Sequence, residues 1–343
     1  MRFGPPWNKE CSYVRVLFNT YPVAFDCPGG GEIQLLRSRE ALENLGHEVA
    51  LFDPWRPQLR EVDLVHYFSV QGGSMNFCDY VKKLGLPLVI SPVLWLTAEN
   101  ELYFPLDEIR DLLQLADRIL PNSAAEVDQL SDRFHVPRHK FTIVPNGVDA
   151  DFGRKVDGRL FCQRFGYSRP FVLNVANIEE RKNQHQLCRA VKELGIDLAL
   201  VGSVRDRQYL ELCLRESGGH ARYLGYIDHA DDLLKSAYQA CAVFALPSLL
   251  ETPGLAALEA AAQGAKIVIT DVGSPTEYFD EHVSYVDPLD PASIVTALER
   301  ELATTRDASL QSHVLEHFTW RHAGQALRAA YELAIHDRVA WAA

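Results

Sequence analysis

Apolar positions along this chain fall into two textures, and the two alternate. Short runs of apolar or β-branched residues are each followed by a stretch in which apolar positions recur at helical spacing. In the first half the runs are Val14–Phe18, Glu48–Phe52, Leu64–Phe68, Leu88–Ile90, Arg118–Leu120 and Thr142–Val144. In the second half they are Phe171–Val175, Leu198–Val201, Arg222–Leu224, Val243–Leu246, Lys266–Thr270 and Ser284–Val286. Several are apolar throughout, as parallel strands covered on both faces are. Helices fit between them. Glu32–Leu45 is stopped by Gly46, and Pro253–Gln263 by Gly264, each a helix-ending signal. Trp320–Trp341 reads as one long helix, with Ala323, Leu327, Ala330, Tyr331 and Ala334 as its apolar positions.

Two successive runs of alternating strand and helix predict an α/β chain of two Rossmann-like, doubly wound parallel sheets. The break falls in the polar stretch Asp149–Gly158, after the turn signal Pro145-Asn146-Gly147. The expected domains are therefore residues 1–157 and 158–318, followed by a C-terminal helix over 319–343. Ligands of such sheets bind beyond the carboxyl ends of the strands. With two sheets facing each other, the expected site is the cleft between them.

Composition narrows the function. A length of 343 residues suits two domains. No apolar run approaches the roughly 20 residues that a membrane span needs. The start, Met1–Ser12, lacks the apolar core of a secretory signal and reads as a polar leader. The seven cysteines (Cys11, Cys27, Cys78, Cys162, Cys188, Cys213, Cys241) show no metal-ligand spacing and fit reduced thiols in a cytoplasm. A net charge of −12 argues against a nucleic-acid partner and against general attraction to an anionic membrane.

Three motifs carry candidate chemistry. The first is Glu251-Thr-Pro-Gly-Leu-Ala-Ala-Leu-Glu259, directly after the run Val243–Leu246. Thr252 is placed to cap a helix beginning Pro253-Gly254, whose N-terminus offers backbone N–H groups and partial positive charge to a diphosphate. Glu251 sits where a sugar would lie, and Glu259 can accept from two ribose hydroxyls. An ordinary capped helix explains the same spacing. The second is Asn177-Ile-Glu-Glu-Arg181-Lys182-Asn183, after Phe171–Val175. Arg181, through its fork, and Lys182, as a point charge, can neutralise a leaving diphosphate. The third is Pro28-Gly29-Gly30-Gly31-Glu32, where glycines let the backbone approach a ligand or the facing domain. It does not match the dinucleotide fingerprint, since position 34 is Gln34. A tight turn is an adequate account of it.

Taken in order, these motifs resemble a family. The glycine run, Gly46-His47-Glu48-Val49, Ala116-Asp117-Arg118-Ile119-Leu120-Pro121-Asn122-Ser123 and Val144-Pro145-Asn146-Gly147-Val148-Asp149 resemble the N-terminal domain of retaining GT-B glycosyltransferases of family 4 (glycosyl transferases group 1), of the bacterial polysaccharide type. In the second half, Glu180-Arg181-Lys182-Asn183 looks like the family's phosphate-binding Arg-Lys, and Glu251 to Glu259 like its E-x7-E signature. Phe318-Thr319-Trp320 and the following helix resemble the segment that crosses back to the first domain. The resemblance implies that Glu259 holds a ribose and Glu251 lies at the donor sugar. It implies that Arg181 and Lys182 stabilise the departing diphosphate, with Asn177 on the same loop. Pro253, Gly254 and Leu255 would meet phosphate and sugar, and Gly30 and Gly31 would close over the diphosphate. Tyr226 and Ile227 would pass near the nucleobase, and Gly202 and Ser203 near the nucleotide. The implied chemistry is transfer with retention of configuration from a nucleotide-sugar, with no metal and no cofactor.

The sequence also departs from that family. Ser91-Pro92-Val93-Leu94-Trp95 stands where many relatives carry a histidine, and Glu251-Thr252-Pro253-Gly254 replaces the commoner Glu-Gly-Phe-Gly. Asn177 occupies a position where many relatives have a further arginine. His66 either approaches the cleft or is a satisfied core histidine, the commoner fate. Asp149-Ala150-Asp151 matches the metal-binding Asp-x-Asp of another glycosyltransferase fold, but its place after Pro-Asn-Gly reads as a turn. The expected reaction moves a hexose, from a UDP-sugar, to a carbohydrate or lipid-linked carbohydrate acceptor. That acceptor would lie near Gly29–Gly31, Tyr67 and Trp95, with peripheral docking at the inner membrane face if it is lipid-linked. The rival readings are a nucleotide-sugar epimerase or hydrolase on the same scaffold, and a catalytically silent nucleotide-sugar-binding partner.

Overall fold

The computed structural model describes residues 13–26, 28–71, 73–98 and 100–342, from 338 on as backbone only. The leader Met1–Ser12, with Cys11, and also Cys27 lie outside the described residues. Two compact units form: one runs to Pro145 and takes up the chain again from Arg321, and the other is Asn146–Trp320.

The first unit holds β1 (Arg15–Asn19), β2 (Glu48–Leu51), β3 (Leu64–Phe68), β4 (Leu88–Ser91) and β5 (Arg118–Ile119). They form a parallel sheet in the order β2-β1-β3-β4-β5. The second unit holds β6 (Phe171–Val175), β7 (Asp197–Val201), β8 (Ala221–Tyr223), β9 (Val243–Leu246), β10 (Ile267–Thr270) and β11 (Ser284–Val286). Its parallel order is β8-β7-β6-β9-β10-β11. Both are doubly wound orders with a switch point, at β1/β3 and at β6/β9 respectively.

Strand periodicity explains how each sheet makes two cores. Side chains alternate across a strand. Thus Phe171, Leu173, Val175, Phe244, Leu246, Ile267 and Ile269 pack on one face of the second sheet. Val172, Leu198, Leu200, Val243, Ala245 and Val268 pack on the other. The first sheet divides likewise, with Leu17, Val65, Tyr67, Leu88 and Ile90 on one face. Val16, Phe18, Leu64, Phe68 and Val89 line the other, where Leu327, Ala330, Tyr331 and Ala334 of the helix Trp320–Ala342 complete the cluster.

Four expectations need correction. Thr142–Val144 is not a strand: it lies against β5 through Thr142 N–H to Ile119 O and Val144 N–H to Pro121 O, but only Phe141 forms a bridge. The helix expected over Glu32–Leu45 spans Gly30–Asn44. Glu32 accepts from the Gly29 N–H at 2.7 Å, so the glycine run supplies the cap and first turn of that helix. The helix expected over Pro253–Gln263 spans Leu255–Ala262, because Gly254 has φ +92° and cannot be a helical second position. The units divide at Pro145/Asn146 rather than 157/158. The reason is that the turn Ala150–Gly153 is bound to second-unit helices: Asp151 pairs with Lys235, and Gln263 Nε2 donates to Phe152 O and Arg154 O.

Candidate active site

The carboxyl edge of the second sheet gathers the second-half motifs. Its switch point lies between β6 and β9, whose following loops carry Asn177–Asn183 and Pro247–Gly254. Backbone lacing holds these loops together, with Leu249 N–H donating to Arg181 O at 2.9 Å. Asn183, left-handed at φ +55°, donates from Nδ2 to Pro247 O and Pro288 O at 3.0 and 2.9 Å.

Held this way, Lys182 Nζ meets Glu251 Oε1 at 2.5 Å, with side chains 13% and 6% exposed. Burial lowers the Lys182 pKa, and the neighbouring Glu251 carboxylate opposes that shift. The Glu251 backbone is fixed as well: its N–H donates to Val272 O, its O accepts from Ser274 N–H, and it bridges Gly273. Gly273 has φ +107°, and a Cβ there would lie 2.0 Å from Glu251 O.

Gly254 starts the helix Leu255–Ala262, the first N–H groups of which have no partner within the helix. A Cβ on Gly254 would meet Leu246 at 3.1 Å and the Glu251 carboxylate at 3.4 Å. Pro253 is buried beside it and Leu255 is half-buried. One turn on, the buried Glu259 accepts from Tyr238 Oη at 2.8 Å and pairs through its other oxygen with His229 Nδ1, also at 2.8 Å. Burial, then Glu259, drives the Tyr238 hydroxyl pKa far up, so it stays a donor. Sequence reasoning missed His229 and Tyr238. They lie on other elements, and no local pattern links either to Glu259.

The remaining positions of this edge are distributed unevenly. Gly202 closes β7 at φ +143°, where a Cβ would lie 1.9 Å from Ala176 O, and its carbonyl accepts from Tyr223 Oη. Ser203 is exposed, with its carbonyl accepting from Ile178 N–H. Tyr226 is exposed and Ile227 is buried in the core. Arg181, expected beside Lys182 at the diphosphate, has a side chain 53% exposed and pairs with Glu179 at 2.9 Å. Asn177, with its amide oxygen facing Arg205, accepts from that guanidinium.

In the first unit the structure corrects one acceptor residue. Tyr67 is buried in the core against Phe77, because it lies on a strand covered on both faces. Trp95 is half-buried. Gly30 and Gly31 are helical, and a Cβ on Gly31 would strike Val93 at 2.9 Å. His66 is a core histidine: it is fully buried, with Nδ1 2.7 Å from Tyr331 Oη and Nε2 2.9 Å from Ser91 Oγ. Burial lowers its pKa to about 3. Asp149 caps the turn Ala150–Gly153 through Asp151 N–H. Among the described residues no group of three or more His, Cys, Asp or Glu side chains is arranged for a metal, and no helix is long and apolar enough to cross a membrane.

Residues 163–309 match the family model described as glycosyl transferases group 1, and residues 56–152 that described as glycosyltransferase family 4. A D-inositol 3-phosphate glycosyltransferase of Geodermatophilus obscurus is 30% identical over 249 residues, 66% of this chain and 54% of that one. A glycogen synthase of Mycobacterium tuberculosis is 26% identical over 238 residues, 64% of this chain and 55% of that one. The chain thus spans little more than half the length of these curated relatives. Among solved structures, Anabaena HepE in complex with UDP-glucose aligns over 92% of this chain and 99% of that one, with TM-score 0.75 and 18% identity. Sucrose-phosphate synthase from Thermosynechococcus elongatus aligns over 95% and 98%, with TM-score 0.71 and 19% identity. The fold is that of the GT-B glycosyltransferases.

Proposed function

We propose, from the premise that this chain belongs to the glycosyltransferases of group 1 and family 4, that it moves a hexose from a UDP-sugar to a carbohydrate or lipid-linked carbohydrate acceptor, with retention and without a metal. The observation that carries this reading is the buried Lys182–Glu251 pair beside the N-terminus of the helix Leu255–Ala262, with Glu259 one turn further on. This edge offers a cation, a helix N-terminus and two buried carboxylates. A nucleotide-sugar requires the same set: positive charge for its diphosphate, and acceptors for sugar and ribose hydroxyls.

In this reading Lys182 takes the charge that develops on the diphosphate as the glycosidic bond breaks. Its low-exposure setting strengthens that interaction, and Glu251 holds the ammonium in place beforehand, so little reorganisation is needed during reaction. Glu251 keeps its second oxygen for a hydroxyl of the donor sugar. Glu259, oriented by Tyr238 and His229, receives the ribose. Gly254, Pro253 and Leu255 border the phosphates, and Tyr226 with Ile227 borders the base. The complex of HepE with UDP-glucose supports uridine as the base.

A thermal-shift panel with UDP, GDP, ADP and their glucose, N-acetylglucosamine and mannose conjugates, with and without EDTA, tests the donor. A ligand that binds only the folded state raises the melting temperature. The expected result is selective stabilisation by UDP compounds, unchanged by EDTA. No shift with any nucleotide overturns the donor-site reading, and a shift abolished by EDTA overturns metal independence. The anomeric proton coupling of the transferred sugar, followed by NMR, tests retention.

A further inference from the structure

Three cations serve the carboxyl edge around β6, and the structure treats each differently. Lys182 is nearly buried and already matched by Glu251 at 2.5 Å. Arg181 points to Glu179 from the exposed side of its turn. Arg205 comes from the neighbouring loop, after β7. With the Asn177 amide turned so that its oxygen faces Arg205, the orientation that satisfies both groups, Nε and Nη2 donate to that oxygen at 2.9 and 3.1 Å, and Nε lies 3.9 Å from Glu179.

The backbone roots Arg205 at that point. Ile178 and Val204 form a parallel bridge beyond the ends of β6 and β7. Ile178 N–H donates to Ser203 O at 2.8 Å, and the N–H groups of Arg205 and Asp206 both reach Ile178 O at 3.2 Å. The two loops are therefore laced together at the residue that carries the guanidinium. An arginine gripped along one edge by a fixed acceptor presents its planar fork in a fixed direction, which suits bidentate phosphate binding.

Charge bookkeeping points the same way. The Lys182–Glu251 pair is neutral as a unit, while Glu179 is one carboxylate between two guanidiniums. A diphosphate calls for more positive charge than a neutral pair supplies. Both arginines are tied by backbone and side chain, but the Arg205 side chain is the less exposed, 30% against 53%, and the Asn177 amide grips its guanidinium beside Glu179.

We propose that Arg205, positioned by Asn177, is the guanidinium that meets the donor's phosphates together with Lys182, and that Arg181 is not. This rests on the nucleotide-sugar reading above. Asn177 acts here as a positioning residue, acting through Arg205.

Calorimetric titration of the full chain with UDP, alongside competition by uridine, separates phosphate contacts from those to base and ribose. Arg205→Ala is expected to weaken UDP by roughly tenfold to a hundredfold, the scale of a lost charge-assisted contact, while uridine changes by less than about twofold. Arg205→Lys recovers part of the loss, Asn177→Ala gives a smaller loss confined to UDP, and Arg181→Ala stays within about twofold. Should Arg205→Ala fail to fold by circular dichroism, Arg205→Lys and Asn177→Ala carry the same comparison. Wild-type UDP affinity in Arg205→Ala, equal losses of UDP and uridine, or a loss falling on Arg181→Ala would each overturn the assignment. If the wild-type chain itself binds no nucleotide, the donor-site reading falls with it; a wild type that binds UDP isolates the failure to Arg205.

Discussion

Removing one member of a buried ion pair leaves the other buried and unmatched, and this governs what Lys182 variants do. With Glu251 only 6% exposed, Lys182→Ala is expected to cost about 3–5 kcal/mol of stability, in addition to abolishing transfer. The pair Lys182→Met with Glu251→Gln should recover most of the stability in urea titrations and none of the activity. Transfer at the wild-type rate in Lys182→Ala would refute the phosphate role. His66 has a different consequence, through pH. Its folded pKa is lowered by burial to about 3, below the unfolded value of about 6.5. Between these values the unfolded chain binds the proton and the folded chain does not, so stability is full above about pH 6.5 and falls as pH drops through the window. The slope is at most about 1.4 kcal/mol per pH unit. His66→Gln should show a smaller difference in urea midpoint between pH 7 and pH 5 than wild type; an equal difference would mean that other groups set the acid sensitivity.

At the scale of elements, continuous apolar runs were legible because strands buried on both faces leave no polar alternation to confuse them. Phe171–Val175 and Val243–Leu246 needed only composition and flanking turns. Thr142–Val144 was misread because half a ladder at a sheet edge, with Ile143 exposed, has the same apolar pattern as a strand. The start of the helix after β9 was misread because sequence does not encode the sign of a glycine's φ. The pairing of Lys182 with Glu251 joins residues 69 apart, and the motifs pointed to both ends without showing the contact. His229, Tyr238 and Arg205 were illegible because only the tertiary fold brings the loops of His229 and Arg205, and the helix Asp232–Ala240 that carries Tyr238, to the same edge. That dependence on loop geometry makes Gly273 a sensitive position. With φ +107° and a Cβ that would fall 2.0 Å from Glu251 O, Gly273→Ala must move the Glu251 backbone. Loss of transfer by more than about tenfold is expected, since displacements near 1 Å carry costs of that order. Gly264→Ala, at φ +72° with only ordinary contacts, is the comparison, losing about 1 kcal/mol and little activity. Equal transfer in both variants would show that Glu251 tolerates displacement.

Across the whole molecule, the chain leaves its first unit at Pro145, builds the second, and returns at Arg321 to finish a core it left open. Leu327, Ala330, Tyr331 and Ala334 pack with Val16, Phe18 and Phe68, Tyr331 supplies the hydroxyl beside buried His66, and Asp337 pairs with Arg118. Gly324 lies so close to the helix Gly30–Asn44 that a Cβ would meet Ala41 at 3.0 Å. Among the described residues, the second unit's two core clusters draw on none beyond Phe318. Past Trp320, the last helix therefore completes the core of the first unit and not that of the second. A chain stopped after Thr319 should accordingly lose its first unit to limited proteolysis while a fragment beginning near Asn146 persists. That fragment should still be stabilised by UDP, because the Lys182, Glu251 and Glu259 positions all lie within it. The single substitution Tyr331→Ala should weaken the first unit alone, by about 3–5 kcal/mol, the range for large aromatic truncations in a core. Protection of both units in the shortened chain would mean that the helix merely covers the first unit, and loss of both would mean that the second cannot stand without it.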